Sequence, residues 1–232
     1  MSTVLDFLSK GGPVMIPILG ASVLTISCGL ERALFWSDLL KREARVVDGV
    51  LNAARQDLNE AAAIATQHRD TPIGRFLYAP LRLHNASPET FRLAMEAAAD
   101  KEFVKMRKGD KLLETVVAIS PLLGLLGTVT GLIGTFYSLD IGGGGGEEAG
   151  AAAAGIGEAL ITTAAGMIVA IMALLVLRIM VTLQTQQTDY FSEAGNELEL
   201  IYRQYWYEPA LLAAEEQSPA EMSEPPVEPA RY

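Results

Sequence analysis

The chain has 232 residues, half of them hydrophobic, a formal net charge of −10 and a mean hydropathy of +0.25, which is high for a soluble domain of this size. The acidic balance gives no reason to expect a nucleic-acid partner. The single cysteine, Cys28, excludes an intrachain disulfide framework.

Charge is absent from three long windows: 20 residues between Lys10 and Glu31, 25 between Glu114 and Asp140, and 19 between Glu158 and Arg178. A bilayer span needs about 20 apolar residues at a rise of about 1.5 Å each. One such window could be a buried core helix; three in one chain specify a multi-pass, all-α membrane protein.

Residues 1–12 read as an external amphipathic segment ended by Gly11 and Gly12. With Asp6 beside Lys10 and no small-residue cleavage site, it does not read as a cleaved signal peptide. The first transmembrane helix covers 13–36, with Trp36 at an interfacial position. A cytoplasmic helical region follows over 37–113. Its first part, 38–67, has helical spacing of apolar positions. Residues 69–88 hold three prolines and predict a bend. Ser87 and Pro88 then look like the cap and first residue of a helix that runs through Gly109 into the second span, 114–139. Residues 140–155 form an external Gly/Ala-rich loop, with no Lys to make it a nucleotide loop. The third span covers 156–183 and continues as a cytoplasmic helix over 184–207. Residues 208–232 are acidic and proline-rich, and disorder is expected there. The fold expected is thus three transmembrane helices, two of them extended into a cytoplasmic helical bundle.

Thirteen of the 18 Lys and Arg lie in 37–113 and none in 140–157. By the positive-inside rule this places the N-terminus outside and the C-terminus in the cytoplasm.

The second span is unusual in its glycines. On a helix, Ser120, Gly124, Gly127, Gly131, Gly134 and Ser138 share a stripe about 80° wide. Lipid offers no hydrophobic drive for helices to pair, so small residues that admit a neighbouring backbone take its place. Thr128 and Thr135 sit beside the stripe, where their hydroxyls either bond back to the preceding turn or face a polar path. In the third span Glu158 is an intramembrane acid, functional by default; the other reading makes it a helix-top acid among the headgroups. Thr162 and Thr163 follow it. No span carries His, a Ser/Lys pair or paired aspartates, which argues against an intramembrane enzyme. His68 and His84 lie in the cytoplasmic region, where structural roles are expected.

The stretches SPLLGLLGTVTGLIGTF and GIGEALITTAAGMIVAI, with GGPVMIPILGASVLTISCGLERALFW and TPIGRFL, strongly resemble the ExbB/TolQ/MotA family of ion-driven motor subunits, ExbB branch. The resemblance spans most of residues 10–185. It implies an inner-membrane homo-oligomer, a pentamer, around two copies of a small single-span ExbD/TolR-like partner that carries an aspartate in the pore. It further implies a TonB/TolA-like envelope-spanning protein as recipient of the work, and no cofactor; the transported ion is a proton, with sodium the alternative. The family's acid falls on Glu158, its second-span threonine on Thr128 and its third-span threonine on Thr163, with Thr162 beside it. Glu158 and Thr163 lie about 140° apart on an ideal helix, so a shared lumen is left open. Met172 stands where the family usually has proline. The alternatives are a flagellar or gliding-type stator subunit, whose usual fourth span is not found here, and a non-conducting membrane scaffold.

Overall fold

The computed structural model describes residues 11–141 and 146–217. Within them lie α1 (Met15–Ala54), α2 (Leu58–Gln67), α3 (Pro72–Leu81), α4 (Pro88–Met106), α5 (Asp110–Ile141), α6 (Gly146–Ile201), a π-helical turn (Tyr202–Tyr207) and α7 (Glu208–Gln217). Helices long and apolar enough to cross a membrane occur in three places, as the hydropathy windows require, and the protein is an all-α membrane protein. The amphipathic segment over 1–10 lies outside the described residues.

The chain divides into two compact units: Met1–Trp36 with Arg107–Thr185, and Ser37–Met106 with Gln186–Tyr232. The first, or membrane unit, has a core of Met15, Ile18 and Cys28 from α1, Leu113 and Val116 from α5, and Ala165, Val169, Ala173 and Met180 from α6. Cys28 is buried apolar filling against Gly109. The apolar side chains that face away from this core, such as Leu122, Leu125, Ile168 and Ile171, are exposed, as lipid-facing positions are. The third span is the most enclosed: 39% of its apolar window is buried, against 22% for each of the other two. Near the polar end of this unit Gln184 donates to both carboxylate oxygens of Asp110, at 3.0 and 2.9 Å.

The second unit is built like a soluble bundle. Val46, Val50 and Ala54 of α1 and Phe191, Ala194 and Leu198 of α6 are all buried. Phe191 packs against Phe76 and Phe103, with centroids 4.9 and 5.3 Å away. Phe91 stacks on Tyr202 at 4.1 Å, and the Tyr202 hydroxyl donates to the Ala86 carbonyl. The Trp206 indole donates to the carbonyl of Ala54, 152 residues away in sequence. Arg75 grips Glu102 with two hydrogen bonds, 2.9 and 2.7 Å, and its third nitrogen reaches the carbonyls of Arg69 and Asp70. Burial pushes the Glu102 carboxyl up, but hydrogen bonds from Arg75 and Lys105 outweigh it and hold the group below its ordinary range.

Several boundaries differ from the sequence reading. The helix expected over 38–67 breaks after Ala54, where Asp57 caps α2 by accepting from the Asn59 amide. The expected bend over 69–88 contains a full helix, α3. Its prolines sit where a helix tolerates them: Pro72 at the first turn, behind the Thr71 cap, and Pro80 in the last turn. Ser87 does cap α4, accepting from the Thr90 amide at 3.2 Å. That helix does not run on into the membrane. It ends at Met106, and Gly109 takes φ +96, a left-handed conformation that stops α4 before α5 starts. Pro121, by contrast, is carried inside α5. The loop expected over 140–155 is shorter, since α6 is already helical at Gly146. The tail expected to be disordered from 208 is helical to Gln217, and residues 218–232 lie outside the described residues.

Candidate functional site

The contacts between α5 and α6 run in opposite directions along the two helices, so the second and third spans are antiparallel. Along this seam each glycine stands where a side chain would strike the other helix. A Cβ on Gly166 would lie 2.5 Å from the Ser120 carbonyl oxygen and 3.1 Å from the Gly124 Cα. One on Gly124 would lie 3.0 Å from the Thr163 Cα, and one on Gly131 3.0 Å from the Ala159 Cβ. Gly127 faces the Thr162 side chain in the same way. Ser120 is fully buried at the lower end of the stripe. The stripe then diverges: Gly134 has open space beside it, and the Ser138 side chain lies outside what the structure describes. Glycine thus serves α6 over Gly124–Gly131, and Gly134 is not part of the close approach within the chain.

Where the stripe diverges, a cavity of about 830 Å³ opens, walled by Pro13, Thr130, Gly134, Thr135, Gly155 and Glu158, among others. Glu158 is half-buried on its wall. Its carboxylate lies against Gly12, which takes φ +63; a Cβ there would collide with Glu158 Oε1. Gly12 is therefore required twice over, by its own backbone and by the room the acid occupies. Thr135 is buried and donates to the Gly131 carbonyl at 2.9 Å; Thr130 donates to the carbonyls of Leu126 and Gly127.

The four residues singled out for an ion pathway part company here. Glu158 lines the cavity; Thr128, Thr162 and Thr163 are not among its walls. Thr162 is 1% exposed and turns back to the carbonyls of Glu158 and Ala159, filling the space Gly127 leaves. Thr163 crosses the seam and donates to the Gly124 carbonyl at 2.9 Å, a bond only a glycine-lined approach permits. Thr128 is half-buried and donates to Leu125 in its own helix at 2.6 Å. Among the walls the sequence reading did not assign are Thr130, Thr135 and Pro13, which follows Gly12. Thr135 carried a signal, since it stood beside the stripe. Gly12 carried none, because its role depends on a residue 146 positions away.

The comparisons agree with this architecture. Residues 68–193 match the MotA/TolQ/ExbB proton channel family, a match over more than half of the chain. The chain belongs to this family. A Synechocystis protein named for biopolymer transport, ExbB-like 1, is 62% identical over 206 residues, covering 88% of this chain and 81% of that protein. ExbB-like 3 of the same organism is 37% identical over 86% of this chain and 95% of its own length. The Tol-Pal system protein TolQ of Haemophilus influenzae is 31% identical over 112 residues, 48% of each chain. The ExbB-like branch is the one these similarities favour.

Proposed function

We propose that this ExbB-like chain is the conducting subunit of an energy-coupling complex in the bacterial inner membrane, with its N-terminus outside and its C-terminus in the cytoplasm. Five copies surround two copies of a single-span ExbD/TolR-like partner, and a TonB/TolA-like protein receives the work. No cofactor takes part. The observation that carries the reading is the cavity in which Glu158, Thr130 and Thr135 gather from α5 and α6, two of the helices long and apolar enough to cross a membrane. A proton crossing 100 mV releases about 2.3 kcal/mol per charge, and a carboxyl in a polar cavity gives it a place to bind. Thr128 and Thr163 act on the path by holding the seam that shapes the cavity.

The test is proton flux into liposomes holding this chain and the small single-span protein co-expressed with it. Glu158→Gln keeps the side chain's shape and removes its titration, and flux is expected to fall to the empty-liposome level while native mass still reports the assembly. Undiminished flux in that variant sinks the assignment. Retention of no single-span partner, with no flux in the parent complex, would favour a non-conducting scaffold.

A further inference from the structure

The cytoplasmic unit holds a second acid that the conduction path does not use. Glu43 of α1 and Gln187 of α6 are each 3% exposed. The Gln187 amide nitrogen donates to Glu43 Oε2 at 2.8 Å. The two remaining oxygens, Glu43 Oε1 and Gln187 Oε1, are both buried and both lack a hydrogen-bond partner. Two bare acceptors cannot satisfy one another, and leaving them so disfavours the folded state. A single proton removes the conflict. A carboxylic acid has one O–H donor, and a primary amide has a carbonyl acceptor beside its N–H donor, so the two pair as a ring of two hydrogen bonds.

The surroundings favour that proton. Among the described residues no cation makes an ion pair with Glu43. Its neighbour Arg42 is engaged by Asp38 and by Asp70. Tyr190 of α6 feels the charge of Glu43 together with those of two further acids, Asp48 of α1 and Glu193 of α6. Tyr190 is pushed up to about 12, by burial first and then by the charges of Glu43, Asp48 and Glu193.

We propose that Glu43 and Gln187 form a proton-binding site in the cytoplasmic unit, the carboxylic acid donating to the amide oxygen and accepting from the amide nitrogen. The ligand is the proton itself. Burial pushes the Glu43 carboxyl from its ordinary 4.5 to about 7, against the opposing pull of the Gln187 hydrogen bond. A group raised on folding stabilises the fold fully below its unfolded value and loses that contribution as pH rises through its folded value. The α1–α6 contact at this site is therefore tight in acid and loosens as pH passes about 7. The site depends on the cytoplasmic unit alone and stands whether or not the chain conducts ions.

Infrared spectroscopy of the full chain in lipid nanodiscs tests this across the range from acid to mildly alkaline buffer. A protonated-carboxyl C=O band is expected that titrates away near neutrality and is missing in Glu43→Gln. That variant replaces the O–H donor with an N–H donor, so its melting temperature is expected to lose the fall that the parent shows as pH rises through neutrality. Gln187→Leu is the second variant, needed if the first does not fold: without the amide donor the band must move to higher frequency. A parent whose carboxyl bands are all gone in mildly acidic buffer overturns the site. So does a neutral-titrating band that persists in Glu43→Gln, or one that Gln187→Leu leaves unmoved.

Discussion

The two units are held together by opposite means. In the membrane unit the α5–α6 seam is made by what is missing: Gly124, Gly127, Gly131 and Gly166 have no side chains, and backbone meets backbone or threonine. In the second unit the centre is made of what is present: Phe76 and Phe103 around Phe191, the Phe91–Tyr202 stack and the Arg75–Glu102 grip. The difference follows from the solvent. Water drives large apolar groups together, while lipid is indifferent to them and leaves close contact and hydrogen bonding to do the holding. Removing volume should therefore damage one unit, and adding volume the other.

The largest effect is expected from Phe191→Ala, which empties a site 1% exposed among other aromatic rings. A loss of about 4 kcal/mol is expected, by the usual cost of truncating a core phenylalanine. Hydrogen exchange should show it in α3, α4 and the part of α6 from Gln186 onward, with the spans still protected. Equal loss of protection in the spans would mean the units are not separately built.

The converse is Gly166→Leu, which adds volume where a Cβ alone would lie 2.5 Å from the Ser120 carbonyl. Overpacking of this kind costs about 3 kcal/mol. Here the thermal stability of the detergent-solubilised protein should drop while exchange in the second unit is little changed. An unaffected melting temperature would show that the seam is looser than its contacts imply.

Arg75→Met separates packing from charge within the second unit. It keeps the bulk of the side chain and removes two hydrogen bonds from Glu102, a carboxyl only 3% exposed. Lys105 remains as partner and Arg75 is about one-third exposed. The loss should therefore fall below the usual figure for a broken buried pair, at about 2 kcal/mol. The pH dependence carries the sign. Glu102 is lowered on folding, so its contribution is present above its ordinary 4.5 and is lost as pH falls through the lowered value. That acid loss should be visible in the parent's denaturation curves and shallower in the variant.

The smallest effect on stability belongs to Gly12→Ala. The left-handed backbone disfavours alanine by about 1 kcal/mol, yet the new methyl group meets the Glu158 carboxylate. Proton flux should therefore drop more than folding does. A variant with flux intact would show that Glu158 can leave Gly12 without consequence.

Much of this architecture is written locally. Charge-free windows mark the spans because each residue's preference for lipid is its own, and the 3-4-3 spacing of Gly124, Gly127, Gly131 and Gly134 marks a face because a helix repeats every few residues. The paired motifs around Thr128 and Glu158 were enough to place the family. The cap of α4 at Ser87 and Pro88 was legible for the same reason, while the break at Gly109 was not: glycine is tolerated in helices, and only the observed φ shows that this one ends α4. The prolines misled over 69–88, because their effect depends on position within a helix and Pro72 and Pro80 occupy its tolerant ends.

The tertiary structure alone decided what meets what. Thr162 and Thr163 are neighbours in sequence with the same side chain, yet one turns into its own helix and the other bonds across to Gly124. Which way each points depends on how α6 is rotated against α5, and no periodicity encodes a rotation between two helices. The same holds for Gly12 beneath Glu158 and for Glu43 against Gln187, 144 residues apart. Sequence by itself determined that the chain crosses the membrane, where it does so and with which small residues, because those properties belong to single segments. Contacts between segments settle only when the helices pack, because they depend on how one helix is placed against another.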